Sequence, residues 1–428
     1  MLVNVMCLFA LRVRCPLYKE PAMRIVLFFF LLVVTRVVFA DNDLRIAVIE
    51  PLTGPSAAVG KWWSDHAHMA VDHLNAAGGV LGGRHVSIVT FDSKSSVQEA
   101  LVILKSIEDE GIRFVFGTAG SNIGIALSDG IAKHNARTPE SALLFLNYGS
   151  LASELTNELC NFWHFRFGPS SDMQVQGMVY YLAQQKSTNK VYLLHQDYSY
   201  GQAVQRLMRQ LITLQRPDVR VVGDELIPLQ KTKDFAPYVA KMRASGADAV
   251  LTSIWGPDLN LLVKASHDFG LTARFYTLNA HFIGAPSAIG KAGVGRLVNI
   301  ATWHANLAEN ALEQYALEFK RQYKQDWNYL PAKAAVEMWA KAIDAVGSLD
   351  APKVAKALEG MHHDAGSGAL WMRPDDHQIS LPLFVSSFTK VGPGVKHSAE
   401  DTGFGFRTEF RLEPEAITIA PRCNMERP

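Results

Sequence analysis

Short apolar runs alternating with amphipathic helices constrain this 428-residue chain more than any other feature. A run bounded by turns and too short for a helix reads as a buried strand, while apolar residues three and four apart read as one helix face. Leu44-Arg45-Ile46-Ala47-Val48-Ile49 is such a run. The turn Pro51-Leu52-Thr53-Gly54-Pro55 follows, then a helix from about Gly60 to Ala76 that stops at Ala77-Gly78-Gly79. Further strands are predicted at 86–92, 114–116 and 143–146, and a helix with Val97, Ala100, Leu101, Leu104 and Ile107 on one stripe lies between the first two. A second series begins with a strand at 191–195 and a helix carrying Ala203, Val204, Leu207, Met208 and Leu211. It continues through 219–222, a helix near Phe235, Tyr238, Val239 and Met242, and strands at 249–252 and 275–278. Strands alternating with helices demand a parallel sheet covered on both faces. The fold class is therefore α/β, with two doubly wound parallel-sheet lobes. Two long amphipathic helices are expected around 309–325 and 332–347, then closing antiparallel strands at 383–388 and 404–410. No low-complexity linker interrupts the chain, so several crossings rather than one hinge peptide should join the lobes.

The N-terminus is set apart from this pattern. Arg24 precedes the apolar run Ile25–Val34, which leads to Val38-Phe39-Ala40 before Asp41. A basic residue, a short apolar stretch and a small terminal residue describe a secretory signal peptide. Residues 1–40 read as leader, 23–40 as the signal proper, with cleavage after Ala40 and either Met1 or Met23 as the start. The alternative is a membrane anchor, but the run, broken by Thr35 and Arg36, falls short of the ~20 apolar residues a spanning helix needs. The leader holds five of the 42 Lys and Arg and one of the 41 Asp and Glu, so the remainder carries a net charge of −3. That excludes a basic field for nucleic acid or anionic lipid, and no second segment approaches spanning length. Of the four cysteines, Cys7 and Cys15 leave with the leader. Cys160 and Cys423 remain, and in an oxidising compartment they are most simply one disulfide, with two free buried thiols the alternative.

One strand–helix junction invites a ligand. In Arg113-Phe114-Val115-Phe116-Gly117-Thr118-Ala119-Gly120-Ser121-Asn122 a buried strand passes through small residues into a helix running to about Ala136. The first N–H groups of a helix are unpaired and its dipole is positive there, so an anionic group can approach where side chains are small. Ser121 or Asn122 either caps the helix or turns an oxygen toward the ligand. The plain alternative is an ordinary junction with a capping Ser.

No catalytic constellation stands out. The nucleophile elbow, the zinc-binding histidine pair and the phosphate loop are all missing. Gly290-Lys291-Ala292-Gly293-Val294-Gly295 has the wrong spacing for a dinucleotide. His66 and His68 lie two apart and do not face each other on a helix, His362-His363 reads as a loop pair, and Asp375-Asp376-His377 as a polar turn. These histidines read as solvated or capping rather than metal-ligating. Neither enzyme activity, cofactor nor metal is expected.

From Asp43 onward the chain resembles the periplasmic solute-binding proteins of branched-chain amino acid ABC importers, the leucine/isoleucine/valine-binding type. The resemblance is carried by Ile46–Pro55, Asn75–Gly83, Ala152-Ser153-Glu154-Leu155-Thr156, Gln196–Gly201 and Lys233-Asp234-Phe235, in that order. It implies the type I periplasmic binding protein fold: residues 41–166 and 303–381 in one lobe, 167–302 and 382–428 in the other, joined by three hinge crossings. It also implies a monomer that binds a small molecule between the lobes and delivers it to permease subunits. The family's carboxylate grip maps onto Gly120, Ser121 and Asn122. The loop Tyr148-Gly149-Ser150-Leu151 maps onto a segment offering a backbone carbonyl and a Thr hydroxyl, with Leu151 standing where the Thr is expected. Tyr200 matches a ligand-facing aromatic and Trp255 takes the place of another. Asn279 falls where the family has an acidic partner for the ligand's ammonium group. Val59 occupies a position that is Tyr in some members, with Trp62 and Trp63 just beyond.

These departures matter energetically. An ammonium without its carboxylate loses a charge-assisted bond of about 1.5–3 kcal/mol, and Leu in place of a hydroxyl removes about 1 kcal/mol. The expected ligand is a small carboxylate, amide or amino-acid-like molecule, aromatic ones included, held by Ser121 and clamped by Tyr200 and Trp255. Transport receptor is the first functional reading; a sensor reporting occupancy to a signalling partner is the alternative, since the same fold serves both.

Overall fold

The computed structural model describes residues 43–308 and 310–428, so the expected leader at 1–40 lies outside the described residues. Five parallel strands form the first sheet: β1 (Leu44–Glu50), β2 (Val86–Asp92), β3 (Phe114–Gly117), β4 (Leu144–Asn147) and β5 (His164–Arg166), in the order β2-β1-β3-β4-β5. β3 and β4 are buried along their whole length, as strands covered on both faces must be. The helix Ala57–Ala76 ends at Gly79, whose N–H returns to Leu74 O at 2.9 Å. Ser96 caps the helix Val97–Asp109 by accepting from Glu99 N. Its buried stripe is Ala100, Ile103, Leu104 and Ile107, whereas Leu101 faces solvent, so the expected stripe is rotated slightly.

The second sheet contains β6 (Lys190–Asp197), β7 (Arg220–Pro228), β8 (Ala249–Thr252), β9 (Arg274–Thr277), β10 (Leu297–Ala301), and, further along the chain, Leu383–Lys390 and Phe404–Leu412. A small antiparallel sheet comes before that pair: β11 (His362–Asp364), β12 (Ala369–Met372) and β13 (Ile379–Ser380). Numbering the last two strands β14 and β15, the second sheet runs β15-β14-β10-β9-β8-β6-β7. β6 to β10 are parallel, and β14 and β15 add antiparallel at the β10 edge. The closing strands thus extend the second sheet. β5 and β10 have no counterpart in the sequence reading. β5 is three residues with charged or polar ends, and β10 lies beyond a glycine-rich turn that obscures its start. The pair His362-His363 sits in β11, not in a loop.

The chain passes from the first sheet to the second after β5, entering the Ser170-capped helix Ser171–Ala183. It returns after β10 to the helices Glu313–Tyr323 and Leu330–Val346, which pack on Ala57–Ala76, and passes to the second sheet again between β13 and β14. At these passages the buried Arg166 guanidinium donates to Gln378 Oε1 at 2.6 Å and Ala152 O at 2.5 Å, and also to Thr156 Oγ1. His377 is no part of an exposed turn: it stacks on Phe165 at 3.8 Å and pairs with Glu359 at 3.0 Å.

A further connection is covalent. Beyond β15 the tail returns to the first sheet, where Cys423 is disulfide-bonded to Cys160 with Cα atoms 5.7 Å apart. Arg422 N donates to Asn157 Oδ1 at 2.9 Å, and Arg427 Nη2 to Pro374 O at 2.6 Å.

Candidate functional site

The junction after β3 forms one wall of a small cavity between the two sheets. Gly120 has φ 95°, a backbone shape that side-chain-bearing residues rarely adopt, and it turns the chain into the helix Ser121–Arg137. Ile123 and Gly124 N–H return to Gly120 O at 3.1 Å. The N–H groups of Ser121 and Asn122 and the Ser121 hydroxyl have no partner among the described residues. Asn147, the last residue of β4, shapes the adjoining loop: its Oδ1 accepts from Gly149 N at 3.0 Å and Ser150 N at 2.8 Å. A Cβ on Gly149 would lie 2.5 Å from the Trp63 ring and 2.7 Å from Thr118 O, so only glycine allows this approach.

The opposite wall comes from the second sheet's strand ends. Trp255 Nε1 donates to Tyr198 OH at 2.8 Å, leaving the Tyr198 hydroxyl proton for another acceptor. Tyr200 OH donates to Gln174 Oε1 at 3.2 Å and accepts from Asn279 Nδ2 at 3.4 Å, so both its roles are filled. Asn279 Nδ2 also donates to Ser253 O at 2.8 Å. A carbonyl only accepts, which fixes the amide's orientation and leaves Oδ1 without a partner among the described residues. Beneath the aromatic wall, His195 is buried and held neutral, its pKa lowered to about 3 by desolvation.

The cavity measures about 30 Å³ and is lined by Ser121, Gly120, Gly149, Tyr200, Trp255 and Asn279, all expected from the sequence, together with Ala119, Leu151, Trp63, Tyr198 and Phe282. Space for a water or two means that this is a closed arrangement, and a ligand needs side chains or lobes to move apart. A contact between the two halves suits closure: Ser56 Oγ donates to Gln230 Oε1 at 3.1 Å.

Three expected residues do not line the cavity. Trp62 turns away, donating from Nε1 to Asp326 O at 2.9 Å, and its neighbour Trp63 takes the position, stacked on Tyr329 at 4.6 Å. Successive helical residues point about 100° apart, so only one of the pair reaches the cavity. Ser150 Oγ sits 3.1 Å from both Thr118 O and Gly120 O, bracing the turn from behind. Asn122 is exposed on the helix surface. Tyr198 and Phe282 escaped the sequence reading; Tyr198 had a signal, being next to Tyr200 in the quoted motif, while Phe282 lies in a loop with none. His66 is fully buried among Trp62, Phe319 and Trp327, and desolvation lowers its pKa to about 3, so it is neither solvated nor a cap.

Comparison with known proteins agrees with this architecture. The family model described as periplasmic binding protein matches residues 43–393. The Leu/Ile/Val-binding protein homolog 4 of Brucella melitensis is 28% identical over 400 residues, covering 90% of this chain and 94% of the relative. The leucine-, isoleucine-, valine-, threonine-, and alanine-binding protein from Brucella ovis, solved in a closed conformation, superposes with a TM-score of 0.80 at 26% identity, covering 91% of this chain and 100% of that one. A solute-binding protein of an ABC transporter from Rhodopseudomonas palustris HaA2, solved with p-hydroxybenzoic acid, shares the fold with a TM-score of 0.74 at 19% identity over 87% and 97% of the two chains.

Proposed function

Because the chain belongs to the periplasmic binding protein family, of the branched-chain amino acid type, we propose that it captures a small carboxylate between Ser121 and Trp255 and hands it to the permease of an ABC importer. Its place of work is the periplasm, reached through the leader at 1–40.

One observation carries the ligand class: among the described residues no acidic side chain lines the cavity. A carboxylate at the Ser121 end meets unpaired N–H groups and a free hydroxyl. An α-ammonium group at the other end meets the Asn279 amide oxygen, a dipole where a full negative charge is needed. Desolvating an ammonium there without a counter-charge costs several kcal/mol. An aromatic acid avoids that cost. Its ring lies against Trp63, Tyr200 and Trp255, and a ring hydroxyl donates to Asn279 Oδ1 or accepts from Tyr198. The architecture accommodates such ligands in other proteins, since solved members of this fold hold 4-hydroxybenzoate and 3,4-dihydroxybenzoic acid. Binding is coupled to closure, with the ligand shifting the open–closed populations.

Titration calorimetry with 4-hydroxybenzoate, benzoate, leucine and phenylalanine tests this reading. The aromatic acids should bind at least tenfold more tightly than leucine; the reverse order would overturn the ligand class.

A further inference from the structure

A second and larger cavity, of about 350 Å³, shares no lining residue with the first. It lies under the loop joining β14 to β15, between that loop, the helix Glu313–Tyr323 and the segment before Leu330. Its size falls in the range of small-molecule sites. The consecutive residues His281 and Phe282 divide the two spaces: Phe282 lines the first and His281 the second. Trp62, Phe282 and Tyr329, with ring centres 5.8 to 6.2 Å apart, stand around that division.

Among the polar groups of this cavity His281 supplies an oriented donor, while the Trp327 indole N–H and the Asn310 and Asn328 amide oxygens also lack partners among the described residues. His281 is 5% exposed. Asn299 Oδ1 accepts from Ala280 N at 2.8 Å, and a backbone N–H can only donate, so the Asn299 amide nitrogen faces His281 Nδ1 at 3.1 Å. Nδ1 therefore accepts, and the ring proton sits on Nε2. That N–H has no partner among the described residues. Trp327 and Phe406, both buried, supply apolar surface nearby.

Charge on the lining selects against an anion. Lys320 is already paired with Asp326 at 2.9 Å and Asp401 at 2.6 Å. Glu313 holds both Lys396 and His397. Among the described residues no cation on this lining is left over for a ligand carboxylate, and the carboxylates outnumber the ammonium groups. We propose that this cavity is a second binding site, for a small uncharged molecule with a planar apolar body whose carbonyl oxygen accepts from His281 Nε2, a primary carboxamide being the simplest case.

Benzamide is the probe and benzoate its charged isostere. Crystals soaked with benzamide should show it in this cavity with its carbonyl on His281. Ligand-observed NMR titration should give saturable benzamide binding that His281→Ala weakens about fivefold, the loss of one neutral hydrogen bond. Ala316→Trp, a partly exposed helix position on the cavity wall, fills the space without disturbing the buried histidine. It should exclude benzamide while 4-hydroxybenzoate binding at the Ser121 cavity is unchanged. Benzamide found only in the Ser121 cavity, no binding at all, equal binding of benzoate here, or insensitivity to Ala316→Trp would each overturn the proposal.

Discussion

The backbone N–H of Ala119 donates to the buried carboxyl of Glu50 at 2.9 Å, so the first amide of the β3–helix turn is held by the protein and withheld from a ligand. The other Glu50 oxygen faces the buried Tyr148 hydroxyl, and desolvation outweighs both contacts to raise the group's pKa to about 8. Glu50 thus joins β1 to the ligand wall as a neutral acid at physiological pH.

A raised carboxyl pKa means that the folded state holds a proton which the unfolded chain has released, so stability falls as pH rises between about 4.5 and 8. The buried neutral histidines act oppositely: their lowered values, about 3 for His195 and about 4 for His281, make stability rise with pH up to about 6.5. Urea unfolding across pH 4–9 should therefore give a maximum near pH 5–7. In Glu50→Gln the decline on the alkaline side should largely disappear, and the variant should gain about 1–3 kcal/mol at pH 8 relative to wild type. An alkaline limb unchanged in the variant would refute this assignment.

Ser121 separates binding from stability. Its hydroxyl has no partner among the described residues, so Ser121→Ala should leave the melting temperature within about 1 °C. The affinity for 4-hydroxybenzoate should drop about ten- to hundredfold, as expected for a hydrogen bond to a charged group. Calorimetry and thermal melts on the same preparation provide both readouts.

Asn279 should control the choice between acids and amino acids. Asn279→Asp places a carboxylate opposite Ser121 in almost the same volume. Leucine binding should improve by about 1.5–3 kcal/mol relative to 4-hydroxybenzoate, measured as a ratio of dissociation constants. An unaltered ratio would place the ammonium position elsewhere.

Cys423→Ser should release the tail from the first sheet. The disulfide joins residues 263 apart, and its loss should cost about 2–4 kcal/mol in urea unfolding. The hydrogen bonds and exposed ion pairs of Arg422 and Arg427 and the packing of Met425 hold the tail weakly once the disulfide is gone, so hydrogen exchange should rise after residue 417.

Much of this molecule could be read along the chain. The strand and helix alternation, the helix beginning at Ser121 and the pairing of Cys160 with Cys423 all follow from patterns a few residues wide, or from counting. Burial of the β3 and β4 runs needs nothing more than their unbroken apolar character. Other features depend on contacts between distant segments. Which of Trp62 and Trp63 faces the ligand space is set by how Ala57–Ala76 rotates against the segment 326–329, since both indoles lie on its buried side. Glu50 meets Ala119 only because β1 pairs with β3. Asn147 becomes the organiser of the Gly149 loop because the chain reverses there. β5 exists because β4 supplies a ladder that its own three residues hardly demand. Periodicity records how a segment divides between oil and water, and it holds no information on which remote segment completes the contact. That division lies in the amino-acid sequence, while the partner, and with it the two cavities and their chemistry, is decided by the tertiary structure.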